Sequence, residues 1–259
     1  MSLKKISIFD LDFISAGSID EVVHDIINTE RRKETGCDFL ITPNAYQVVH
    51  FNDKKNAFLK EQYRQAAYIL PDGMPIVWIS KIFKHSLEKR LTGSDLFPVL
   101  WKEIKDAAMP VTLVLPGDKV AALFKRDYPA ANRFVPEMFE VTDKAYITSF
   151  ADEVASGIVR NHSQFVFLGL GFPKQELLAL AIADKLKNIG YHSPVLFLLL
   201  GASFEFYFGL KDRAPAFFQN TGLEWLYRFA KEPARLWKRY TIDNVRFLFI
   251  AIKELFRSH

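Results

Sequence analysis

Leu70-Pro71-Asp72-Gly73 ends a short apolar run, Tyr68-Ile69-Leu70, and is one of three polar knots that decide how the chain is read. An earlier knot, Thr42-Pro43-Asn44, ends the apolar run Phe39-Leu40-Ile41, and a later one spans Arg90-Leu91-Thr92-Gly93-Ser94-Asp95. If the apolar runs are parallel strands, all three knots stand where strand carboxyl ends meet helices. That edge is where open α/β sheets bind ligands. One carboxylate, one arginine and several neutral hydrogen-bonding groups would then share one crevice.

The pattern repeats on both sides. Lys4 to Phe9 reads as a first or edge strand, and Val111 to Leu115 as a strand that ends at Pro116-Gly117-Asp118. Phe165 to Leu168 is a strand ending in Gly169-Leu170-Gly171, and Val195 to Leu200 is apolar throughout, as in a parallel sheet buried on both faces. Ser18 and Glu21 form a capping box for a helix running to about Arg32. Helices are also expected over 45–51, 55–65, 74–83, 95–108 and 150–161, and from Pro173 to about Asn188. Phe134 to Asp143 carries no assignable pattern. Strands alternating with helices give an α/β class with a Rossmann-like, mostly parallel sheet. Beyond Gly222 only helical patterns remain, Leu223 to Lys231 and Pro233 to Phe256. The expected organisation is therefore an α/β domain over 1–215 and a helical, basic and aromatic appendage over 216–259.

With 259 residues, 49% hydrophobic and 25% charged, the chain has ample capacity for a core. Its single cysteine, Cys37, excludes an internal disulfide framework and suits a reducing compartment. The start, Met1 to Lys5, is too polar for a signal peptide. The longest uncharged window, Asn188 to Phe204, includes His192, Ser193 and Pro194 and reads as a buried strand with its turns, so membrane contact is expected to be peripheral. Net charge is +4, and Gly222 to His259 carries eight Lys/Arg against four Asp/Glu, which accounts for all of the excess.

Several motifs carry chemistry. Asp10 and Asp12, at the end of the first strand, resemble the start of a haloacid-dehalogenase phosphatase, although Phe13-Ile14 stands where Gly-Thr is usual. Gly169-Leu170-Gly171 lacks the third glycine of a dinucleotide fingerprint; it is either tight-turn packing or a backbone cradle for a diphosphate. The six histidines show no zinc spacing, and no Gly-x-Ser-x-Gly elbow occurs. Pro71-Asp72-Gly73 is good turn chemistry, and a strand-end carboxylate can also serve as a general base. In the tail, Arg228, Lys231, Arg235, Lys238 and Arg239 are interleaved with Trp225, Phe229, Trp237 and Tyr240, a composition that suits an anionic lipid surface. No nucleic-acid-binding fold accompanies these charges.

Together these residues resemble the WecG/TagA/CpsF family of bacterial glycosyltransferases. The likeness is carried by Thr42-Pro43-Asn44, Pro71-Asp72-Gly73-Met74-Pro75, Arg90 to Asp95, and Gly169 to Glu176. It continues through Gly201-Ala202-Ser203-Phe204, Arg213-Ala214-Pro215, Gly222 to Arg228, and Glu232-Pro233 through Tyr240. Three departures stand out: Pro116-Gly117-Asp118 replaces a Gly-Gly turn, 134–143 lacks the usual glycines, and Lys238 replaces an arginine.

The resemblance implies an inverting, metal-independent transferase without cofactors. It would move a sugar (N-acetylmannosamine type, its uronic acid, or glucose) from a UDP-sugar to a polyprenyl-diphosphate-linked saccharide. Such an enzyme would serve cell-surface polysaccharide or teichoic acid synthesis from the cytoplasmic face of the membrane. It makes Asp72 the general base, puts Arg90 near the phosphates, and lines the sugar pocket with Thr42, Asn44 and Gln175, beside Gly169 and Gly171. Arg228, Arg235, Lys238 and Arg239 would belong to an appendage that closes over the site and touches the membrane. The alternatives are a phosphatase using Asp10 and Asp12, or a non-catalytic membrane-docking protein. An exposed apolar tail also allows self-association into a homo-oligomer.

Overall fold

The computed structural model describes residues 3–29, 36–82, 86–215, 217–218 and 224–257, with backbone only at 225, 228, 235, 238–240 and 257. The elements begin with β1 (Lys4–Ile8), β2 (Leu11–Ser15), α1 (Ile19–Asn28), β3 (Cys37–Ile41), α2 (Ala45–Phe51) and, after a 3-10 turn at Lys54–Asn56, α3 (Ala57–Tyr63). Next come β4 (Tyr68–Ile69), α4 (Met74–Ser80), α5 (Gly93–Asp106), β5 (Val111–Val114), α6 (Asp118–Asp127) and β6 (Asn132–Phe134). They continue with α7 (Lys144–Asn161), β7 (Phe165–Leu168), α8 (Lys174–Asn188), β8 (Val195–Leu199) and α9 (Ser203–Tyr207). The C-terminal helices are α10 (Glu224–Lys231), α11 (Pro233–Lys238), a π-helical turn at Arg239–Asp243, and α12 (Asn244–Arg257). By contact the chain forms two units, one of Met1–Val22, Thr42–Thr92 and Lys211–His259, the other of Val23–Ile41 and Gly93–Leu210.

The second unit holds parallel strands in the order β3-β8-β7-β5-β6. Every residue of β5, β7 and β8 is buried, as their unbroken apolar sequences require in a sheet covered on both faces. Beside it lies an aromatic cluster in which Phe97 sits 4.9 Å from Phe204 and 5.7 Å from Phe167, and Trp101 5.2 Å from Phe124, ring centre to ring centre. Trp101 donates from Nε1 to Asp127 at 2.6 Å, so its one polar atom is satisfied. Cys37 opens β3, and its thiol is pushed up to about 12 by burial and by the Asp38 and Asp184 carboxylates, which keeps it protonated and chemically quiet.

The first unit opens with a hairpin. β1 and β2 pair antiparallel through a two-residue turn, Phe9-Asp10, with both φ angles near +60°. This corrects the expectation of one strand ending at Asp10 and Asp12. Asp10 lies in the turn, where it pairs with Lys60 at 3.0 Å, and Asp12 lies on β2, bonded to the Ser7 hydroxyl. The paired strand-end carboxylates that the phosphatase reading needs are not formed. Ser18 does cap α1, accepting from the Glu21 N–H at 3.2 Å; the helix is described as far as Asn28, and the remainder of its expected span lies outside the described residues apart from Thr29.

The C-terminal helices pack within this same unit. Phe247 of α12 meets Phe9 at 5.5 Å, and Glu254 accepts from the Phe9 N–H at 2.9 Å. Arg246 reaches Asp53, while His50 stands between Asp53 at 3.0 Å and Asp243 at 3.6 Å. Burial works against the charge on Asp53, but Arg246 and His50 outweigh it and hold the carboxyl below its ordinary range. The single helix expected over Pro233 to Phe256 is interrupted by the π-helical turn, where the Thr241 hydroxyl donates to the Trp237 carbonyl at 2.7 Å.

Candidate active site

Two sets of residues follow strand carboxyl ends, one in each unit. In the first unit, Thr42-Pro43-Asn44 runs from β3 into α2, and Asn44 caps that helix. Its Oδ1 accepts from the Gln47 N–H while its own N–H donates to Gln47 Oε1, each at 3.2 Å. The cap uses the amide oxygen, and among the described residues Nδ2 makes no hydrogen bond. Thr42, one residue beyond β3, is buried.

Backbone hydrogen bonds lace the three knots together. The Asp72 N–H donates to the Pro43 carbonyl at 3.0 Å, and the Leu91 N–H donates to the Pro71 carbonyl at 3.0 Å. Asp72 therefore stands beside the Asn44 knot on one side and the Arg90 knot on the other. Gly73 follows with φ +141°, a conformation that L side chains rarely adopt, and it swings the chain directly into α4, where Pro75 occupies the first turn. The Asp72 side chain is half-buried. The backbone at Asp72 is thus held from both sides.

Arg90 reaches across 134 residues of sequence. Its Nη1 donates to Glu224 Oε2 at 2.8 Å, and the two side chains are only 14% and 16% exposed. Glu224 is the first residue of α10, so the tail and the Arg90 knot meet at this pair. The spacing of the motifs gave no sign of this contact. Arg228, Arg235, Lys238 and Arg239 lie on α10, on α11 and in the π-helical turn, and their side chains lie outside the described residues.

In the second unit, Gly169 begins the turn after β7, where its N–H donates to the Val114 carbonyl at 2.9 Å. A Cβ on Gly169 would stand 2.4 Å from the buried Phe204 ring, so close packing alone requires glycine here. Gly171, by contrast, is open, with nothing within 4 Å of a built Cβ. Gly169→Ala is expected to destabilise the protein by about 2–3 kcal/mol through overpacking. Thermal denaturation reads this, and an unchanged melting temperature would show that Phe204 can yield.

Gln175 is buried in the first turn of α8. Its Oε1 accepts from the Gly201 N–H at 3.1 Å and its Nε2 donates to Glu176 Oε1 at 3.1 Å, which fixes the amide's orientation. Among the described residues the second Nε2 proton meets no acceptor. Gly201 takes φ +55° in the turn after β8, so the amide pins two successive strand ends of this unit.

Comparison with known proteins gives the family likeness. The sequence model described as "Glycosyl transferase WecG/TagA/CpsF family" matches residues 6–259. The chain is 28% identical over 239 residues to the N-acetylglucosaminyldiphosphoundecaprenol N-acetyl-beta-D-mannosaminyltransferase of Bacillus spizizenii, covering 88% of this chain and 84% of that protein. It is 27% identical over 235 residues to the protein of the same name from Staphylococcus aureus strain MW2, covering 91% of this chain and 86% of that protein.

Proposed function

The chain belongs to the WecG/TagA/CpsF family of glycosyltransferases, and from that premise we propose that it moves an N-acetylmannosamine-type sugar from a UDP-sugar to a polyprenyl-diphosphate-linked saccharide, without a metal. The observation that carries this reading is the lacing of the three knots by the Asp72–Pro43 and Leu91–Pro71 backbone bonds. It fixes the Asp72 backbone between the Asn44 knot and the Arg90 knot. In the proposed reaction the acceptor hydroxyl oxygen attacks the anomeric carbon and Asp72 takes its proton. The bond from that carbon to the UDP oxygen breaks with inversion, and the charge left on UDP meets Arg90. A fixed guanidinium suits this role because it is always charged and presents several N–H donors in one plane. Thr42 and Asn44 are assigned to sugar binding, and Gly169, Gly171 and Gln175 are assigned to donor binding by the family resemblance.

We assign the tail to the cytoplasmic membrane surface. Among the described residues no helix is long and apolar enough to cross a membrane. On α12, however, Val245, Leu248, Phe249, Ile252 and Phe256 are exposed at helical spacing, while Phe247 and Ala251 on the other face are buried. Trp237 and Ile242 add to this apolar surface, and Arg228, Arg235, Lys238 and Arg239 bring the basic charge that an anionic lipid surface attracts.

UDP release measured without added metal, over a panel of UDP-sugars and with a polyprenyl-diphosphate-GlcNAc analogue, tests the reaction. Acceptor-dependent release with UDP-N-acetylmannosamine is expected, and it should survive chelation. Release that needs a divalent ion, or a different donor, would overturn the corresponding part of the proposal.

A further inference from the structure

We propose that Glu224 is a positioning residue that couples docking of the C-terminal helices to diphosphate binding at Arg90. The inference rests on the donor reading given above and adds to it a residue and a linkage. Arg90 is mostly buried, yet among the described residues it engages a single partner through a single nitrogen, Nη1. A guanidinium has five N–H donors, and its Nε–Nη2 edge matches two phosphate oxygens side by side. Glu224 occupies Nη1 and leaves that edge available, so one arginine can hold the carboxylate and a diphosphate together.

The two anions then act on the same group in a defined way. Glu224 fixes the guanidinium plane and lowers the cost of ordering it for the phosphate. The phosphate in turn fixes the guanidinium for Glu224 and holds α10 against the Arg90 knot. By reciprocity, a ligand that favours the docked tail must be favoured by it. Glu224 lies in the helix Glu224–Lys231, so the pair ties that helix to the Arg90 knot. Arg228 follows one turn later on the same helix.

The test is hydrogen exchange across residues 224–231 in the full chain, with and without UDP, paired with calorimetric titration of UDP. Without ligand, Glu224→Gln should speed exchange there about fivefold, the loss expected for one half-buried charge pair. The reversed pair, Arg90→Glu with Glu224→Arg, should restore protection to within about twofold, because the ion pair is re-formed. The reversed pair should nevertheless fail to bind UDP, because position 90 is then anionic. UDP should slow exchange in the wild type but not in Glu224→Gln, even though UDP still binds that variant.

Unchanged exchange in ligand-free Glu224→Gln would overturn the docking role. Equal slowing by UDP in wild type and variant would overturn the coupling. Faster exchange on adding UDP to the wild type would also overturn it, since carboxylate and diphosphate would then be competing. If UDP binds the wild type without altering exchange, the coupling fails and the donor reading stands. If UDP does not bind the wild type at all, the donor reading itself fails and takes the coupling with it.

Discussion

Asp72→Asn is expected to lower kcat/KM for sugar transfer by about 10²- to 10⁴-fold, the usual worth of a positioned general base. The substitution keeps the side-chain shape and removes only the ability to take a proton. It also keeps the backbone N–H that donates to the Pro43 carbonyl, so the lacing of the knots survives. UDP affinity and melting temperature should therefore stay close to wild type while turnover collapses. The measurement is acceptor-dependent UDP release beside calorimetric binding of UDP. A variant that retained a third or more of the wild-type rate would move the base to another residue. A variant that lost UDP binding as well would make Asp72 a donor ligand.

The three knots could be read from the sequence because turn chemistry is local. Pro71-Asp72-Gly73 needs only its own residues to stop a strand and start a helix, and Gly73 takes the positive φ that glycine permits. The buried parallel strands were equally plain, since β7 and β8 are apolar at every position. The hairpin was not visible. Its turn puts Phe9 and Asp10 at φ near +60°, where Asn-Gly or Asp-Gly would have given the signal. With the turn hidden, Asp10 and Asp12 read as one motif, whereas they lie in a turn and on the strand that leaves it. The three-residue β6 went unread because it is too short to show a period.

Side-chain partnerships across long separations were out of reach for a different reason. Nothing in the spacing of Arg90 and Glu224 marks them as a pair, because their meeting depends on how α10 packs. The same holds for Gln175, whose oxygen is committed to a backbone N–H in the turn after β8. Sequence pattern identified which residues stand at strand ends, and only packing decides which of their atoms remain available.

Removing residues 216–259 is expected to reduce transfer by at least about 100-fold, since the tail arginines that the family resemblance puts over the site, and Glu224 beside Arg90, are lost with it. The deletion also strips the first unit of real packing. Phe9 would lose Phe247, the Phe9 N–H would lose Glu254, and Asp53 would lose Arg246. The truncated chain should therefore keep the parallel sheet of the second unit while its first unit melts at a lower temperature. Loss of activity in that truncation alone cannot separate a membrane role from a folding role. Replacing Leu248, Phe249 and Phe256 by serine can, because all three side chains are exposed on α12. Exposed positions tolerate substitution within roughly 0.5 kcal/mol each, so this variant should melt near the wild-type temperature. It should transfer normally to a short-chain soluble acceptor and fail to sediment with anionic vesicles. Vesicle binding equal to wild type would place the membrane contact elsewhere on the molecule. Transfer lost with the soluble acceptor would instead mean that this apolar face serves the reaction itself, since neither the fold nor the lipid would then account for the loss.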